Sequence, residues 1–264
     1  MVRSRIWIFV LASLSLATGT GCSHWLQQQN LLSRTRARYY NLKAAGARSY
    51  HCTVRPDWPL FIDTANKLPE EKALTDTPWH RYLQNVDLSF RAPLVGSSAV
   101  FWTESAPPPP DKADPAKKME ASFRKMIDGT LFTLQANLNG TLLPAVSTSD
   151  MTRKGQGYVL TEHDLQNRIT DITFDKDLKI THLSTRGPGI LADIDTRYVE
   201  SPKGLLLVQM DTDTRMGEER GMSHTVIKVT YADIDAFTVP SGIELDTSSG
   251  TIIRMKFTNC GVDK

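Results

Sequence analysis

The chain has 264 residues, of which 40% are hydrophobic and 23% charged, and it carries three cysteines. This is the composition of an ordinary globular protein, neither collagen-like nor disordered, and the length is enough for a sizeable core. Lys+Arg 31 against Asp+Glu 29 gives a formal net charge of +2, which excludes a nucleic-acid binder driven by bulk positive charge.

The first residues read as an address. Arg3 and Arg5 precede an apolar run from Ile6 to Leu16. At about 1.5 Å rise per residue that run is shorter than the ~30 Å bilayer core, so it reads as a signal peptide over residues 1–21. Ala17-Thr18-Gly19-Thr20-Gly21 then leads to Cys22, followed by Ser23. A small residue before a cysteine behind such a run resembles the lipobox of bacterial lipoproteins, although Gly19 stands where Leu is usual. The resemblance implies acylation of Cys22 and, with Ser23 behind it, the outer membrane facing the periplasm. Ordinary signal cleavage after Gly19, giving a soluble periplasmic or secreted protein, is the other reading. Loss of the leader removes Arg3 and Arg5 and leaves 29 basic side chains against 29 acidic ones. The body is then neutral, and the N-terminal acyl anchor alone is expected to hold it at the membrane.

With Cys22 acylated, Cys52 and Cys260 remain, both in strand-like sequence. An exported chain meets an oxidising compartment, so these two are expected to form a disulfide, with buried free thiols as the other reading. The disulfide places the first and last strands beside or facing one another.

Residues 22–46 read as a tether and N-terminal helix ending at Gly46. The body, 47–264, begins with a strand near Arg48–Val54. Pro56, Pro59 and Pro69 then allow only short helical pieces, near Phe61 and Leu74. Strands follow at Asn85–Ala92 and Ser98–Glu104. The segment 105–116, with four consecutive prolines, reads as an extended surface insertion. From Pro115 to Leu138, Met119, Phe123, Met126, Ile127, Leu131, Leu134 and Leu138 recur at helical spacing. After Pro144 eight strand candidates follow: 154–160, 168–174, 178–184, 190–199, 205–213, 224–231, 242–246 and 251–259. In several of them apolar and polar residues alternate, as in a sheet with one dry and one wet face. The expected fold is therefore α+β: a curved antiparallel sheet covered by a few helices.

No nucleophile elbow, HExxH, phosphate loop or dinucleotide fingerprint occurs, and no CxxC or histidine spacing suggests a metal. Asp193 and Asp195 alternate along a strand and read as wet-face residues. Asp211-Thr212-Asp213 only resembles the start of a calcium loop. No catalytic residue, cofactor or metal is assigned, and an enzyme is not expected.

The C-terminal stretch carries a family likeness. Tyr231, Asp233, Asp235, Phe237, Val239, Pro240, Ile243 and Phe257 to Asn259 resemble the closing strands of the LolA/LolB superfamily of lipoprotein-handling proteins. The resemblance implies an open half-barrel of about eleven strands with helices as a lid, holding lipid chains. The function expected from it is a membrane-anchored lipoprotein that binds a lipid or acylated partner in an apolar hollow. Trp58, Phe61, Trp79, Phe101, Trp102, Phe123, Met126 and Leu131 are the candidate lining, with plain core packing the other role open to each. The alternative is a structural or interaction lipoprotein with a solid core.

Overall fold

The computed structural model describes residues 31–65, 78–94, 101–104, 106–110, 115–139, 143, 150–217 and 221–264. Cys22, the leader and the helical turn expected near Leu74 lie outside the described residues.

Twelve strands form one open antiparallel sheet. The N-terminal group is β1 (Ser49–Pro56), β2 (Leu88–Pro93) and β3 (Phe101–Glu104). The rest form a meander: β4 (Asp150–Lys154), β5 (Gly157–His163), β6 (Ile169–Phe174), β7 (Ile180–Gly187), β8 (Ile190–Ser201), β9 (Gly204–Met216), β10 (Ser223–Ile234), β11 (Phe237–Thr247) and β12 (Ile252–Asp263). The order across the sheet is β3-β2-β1-β12-β11-β10-β9-β8-β7-β6-β5-β4, so β3 and β4 are the two edges. Consecutive strands of the meander pair with one another along the chain. The one long-range seam is β1 with β12, antiparallel from Ser49↔Asp263 to Pro56↔Met255.

The disulfide closes that seam. Cys52 and Cys260 are bonded, with Cα atoms 4.1 Å apart and a sequence separation of 208. The ladder shifts register between His51 and Thr53, opposite Gly261 and Thr258. Asn259 takes up the extra residue with a φ of 49°, a left-handed conformation that asparagine tolerates.

The alternation read from sequence is realised. Ile227 and Val229 of β10, Ile243 and Leu245 of β11, and Ile253, Met255 and Phe257 of β12 are all buried on one face. Lys228, Arg254 and Lys256 point the other way and are exposed.

Among the described residues four helices accompany the sheet: α1 (residues 31–38), α2 (Trp58–Ala65), α3 (Pro78–Gln84) and α4 (Pro115–Leu138). The helix α4 has the bounds its apolar spacing suggests. The helix α2 starts where Asp57 caps it, its Oδ1 accepting the Leu60 N–H at 3.1 Å. Its Trp58 and Phe61 rings meet edge to face at 6.0 Å, and Thr64 hydrogen-bonds the backbone of Ile252 in β12.

Two expectations are corrected. The N-terminal helix, expected to run to Gly46, ends at residue 38, because Tyr39 leaves it to bridge Leu205 of β9. Gly46 instead sits in the turn before β1, at a φ of 98°. The strand expected at 154–160 is two strands, because Gly155 adopts a φ of 60° and reverses the chain between β4 and β5.

Candidate functional site

The candidate lining residues fall on several elements. Trp58 and Phe61 of α2 and Leu131 of α4 are buried in the central core, and Met126 of α4 packs partly buried against it. Trp79, Phe101, Trp102 and Phe123 belong to α3, β3 and α4, with Phe101 opposite Arg91 and Trp102 opposite Phe90 in the ladder. Their side chains lie outside the described residues. The buried stripe of α4 is Ile127, Leu131, Leu134 and Leu138, each no more than 3% exposed.

Polar contacts at the C-terminal end of α4 tie it to distant strands. Gln135 Nε2 donates to the Pro93 carbonyl of β2. Two residues on, Asn137 Oδ1 accepts from the Tyr198 hydroxyl of β8 at 3.0 Å. The Leu138 carbonyl accepts the Leu42 N–H at 2.8 Å, and the Asn139 carbonyl accepts from Asn41 Nδ2 at 3.1 Å. The Gln135 Oε1 and the Tyr50 hydroxyl are buried with no hydrogen-bond partner. Each such group costs about 1–3 kcal/mol of desolvation. Burial pushes the Tyr50, Tyr198 and Tyr231 hydroxyls up, well away from ionisation.

Tyr39 and Tyr40 fasten the segment after α1 to the end of the sheet where the β6–β7, β8–β9 and β10–β11 turns lie. The Tyr39 hydroxyl donates to the Leu178 carbonyl and accepts the Ile180 N–H, at 3.2 and 2.6 Å. The Tyr40 hydroxyl accepts the Thr238 N–H at 2.9 Å. Tyr39 also meets Tyr198 edge to face at 5.0 Å. None of Tyr40, Gln135, Asn137 and Tyr198 was singled out by sequence. Their only signal was polar residues interrupting otherwise apolar stripes.

Among the described residues, three cavities are lined by elements other than α4. The first, about 660 Å³, lies beside Trp58 and is bordered by Arg55, Asp57, Asp87, Arg254 and Lys256. Here the Arg55 guanidinium clamps Asp87 and holds its carboxyl below the usual range. The second, about 530 Å³, lies over Gly242 on the outer face of β10, β11 and β12. Glu244 at its border bonds Lys228 and Arg254, which also lower its pKa. The third, about 520 Å³, lies between the segment after α1 and Lys203. Among the described residues no group of three or more His, Cys, Asp or Glu is placed to hold a metal ion, and no helix is long and apolar enough to cross a membrane.

No protein family, curated protein or solved structure matches the chain.

Proposed function

We propose that the protein is an exported, membrane-anchored lipoprotein whose sheet forms a LolA/LolB-like half-barrel, and that α4 covers an inner face able to receive a lipid or the acyl chain of a partner. The observation that carries this reading is the double attachment of α4. Gln135 reaches β2 and Asn137 reaches β8. Those strands are six spacings apart in the sheet, about 29 Å if it were flat. One helical turn serving both supports a sheet bent around α4. The helix offers that concave face an apolar stripe, the kind of surface an acyl chain can replace. The unpartnered Tyr50 hydroxyl and Gln135 Oε1 support a place for a ligand's polar end.

A second reading has its own support. The tight burial of Trp58, Phe61 and Leu131 fits an envelope lipoprotein with a solid core and a protein partner on its outside. Native mass spectrometry of the protein purified from membranes separates the two. Copurifying lipid that is lost when N137C and Y198C are oxidised into a cross-link between α4 and β8 is the expected result. Protein free of lipid before and after cross-linking would leave the solid-core reading. Anchoring is a separate matter: labelled palmitate is expected on the protein and absent from C22A, and C22A still found in membranes would refute it.

A further inference from the structure

The outer face of four neighbouring strands carries an arrangement that the function above does not use. Asp193 and Asp195 of β8 stand directly opposite Asp213 and Asp211 of β9. Residues paired across a ladder project to the same side, so four carboxylates form a square on the wet face. A histidine flanks each side of it. On β7, His182 places Nδ1 2.8 Å from Asp195 and Nε2 3.5 Å from Asp193. On β10, His224 places Nδ1 2.9 Å from Asp213 and Nε2 3.3 Å from Asp211. The same motif is thus built twice, on independent strands.

In each histidine both ring nitrogens face a carboxylate. A neutral imidazole has one donor and one acceptor, so one of its two contacts would set a lone pair against a carboxylate. Only the imidazolium donates to both. The surroundings lean the same way. On β11 Asp246 adds a further negative charge near His224, and the Ser248 Oγ accepts the His224 backbone N–H. On β6 the residue opposite His182 is the uncharged Thr173, and the nearby Asp171 is engaged by Arg186. Arg197 and Arg215 extend β8 and β9 beyond the square, opposite Gln209 and Leu191, and Lys228 of β10 is held by Glu244.

We propose that His224 and the four aspartates form a proton-operated clasp across β8–β10, with His182 bridging the square from β7. With His224 protonated, its cation offsets part of the charge of the four facing carboxylates and the strands are held together. With it neutral, four like charges stand opposite one another on adjacent strands with less to offset them, an arrangement that weakens pairing. Each contact is half-exposed and individually weak, so the effect belongs to the array. The neighbouring carboxylates, led by the hydrogen bond to Asp213, raise the His224 pKa above its ordinary value. For a group raised in the folded state, the stabilisation is full below its unfolded pKa, about 6.5, and is lost as pH rises through the folded one.

The test is amide hydrogen exchange of β8 and β9 in the full chain at pH 5.5 and pH 8, corrected for intrinsic exchange. Protection is expected to fall about tenfold between the two pH values, and H182Q/H224Q is expected to show the lower protection at both. A pH dependence that persists in H182Q/H224Q, or none in the natural chain, overturns the clasp. Should the double variant fail to fold, H224Q is measured instead and is expected to reduce the dependence, and an unchanged dependence overturns the clasp. In the natural chain the His224 ring resonance is expected to titrate above 6.5, and a midpoint at or below 6.5 overturns the proposal.

Discussion

Gly204 opens β9 at a φ of 122°, and a Cβ there would lie 2.8 Å from the Tyr40 nitrogen and 2.9 Å from the Arg38 carbonyl oxygen. Those are backbone atoms that cannot rotate aside. G204A is therefore expected to destabilise by more than about 1 kcal/mol and to loosen the segment carrying Tyr39 and Tyr40, read as a lower urea midpoint with faster exchange at Tyr40. Glu244 gives a prediction of opposite pH sense to the histidines. Its pKa is lowered by Lys228 and then Arg254. Its stabilisation is present above the unfolded value, about 4.3, and fades as pH falls through the folded one. E244Q is expected to flatten the fall in melting temperature on acidification from pH 5 to pH 3, and an unchanged curve would count against it. At this scale the cysteine pairing was legible, because Cys22 was read as set apart behind the apolar leader and two cysteines were left. The clasp was not. The Asp-x-Asp spacings are visible at 193–195 and 211–213, but their facing depends on the β8–β9 register, which shifts at Arg197/Tyr198.

Among the elements, α4 was the most legible, because its three- and four-residue apolar steps are long and uninterrupted by proline. Gly129 is its weak point. It is exposed, has ordinary helical backbone, and an added Cβ meets nothing within 4 Å. G129A is expected to raise stability by up to about 1 kcal/mol. Leu131, 1% exposed, behaves oppositely: L131A is expected to cost about 2–5 kcal/mol, the range for a buried leucine truncation. Paired chemical-denaturation curves check both, and equal midpoints would show that α4 is not packed as described. Shorter elements were less legible for a physical reason. The end of α1 is set by Tyr39 binding β7 and β9, and the β4–β5 turn by Gly155 at positive φ. Neither a tertiary hydrogen bond nor a backbone dihedral is written in apolar periodicity.

For the whole molecule, the seam between β1 and β12 decides what the disulfide is worth. The bond closes a loop of about two hundred residues, which corresponds to up to about 5 kcal/mol in the chain-entropy account. C52S/C260S is expected to lower the urea midpoint accordingly, and reduction of the natural protein should reproduce the loss. The Gln135 and Asn137 contacts to β2 and β8, like the seam itself, involve residues far apart in sequence, so only the covalent link across the seam could be inferred beforehand.

The same seam governs when the molecule can form. β1 lies inside the sheet, yet one of its two neighbours is made of the last residues of the chain. A ribosome delivers β1 long before its partner exists. Until residue 263 arrives, one side of β1, the strand that carries the buried Tyr50, Cys52 and Val54, has no partner strand. Such non-local pairing makes for slow folding. Disulfide formation between Cys52 and Cys260, which needs an external oxidant to take up the two electrons, can only follow the delivery of β12.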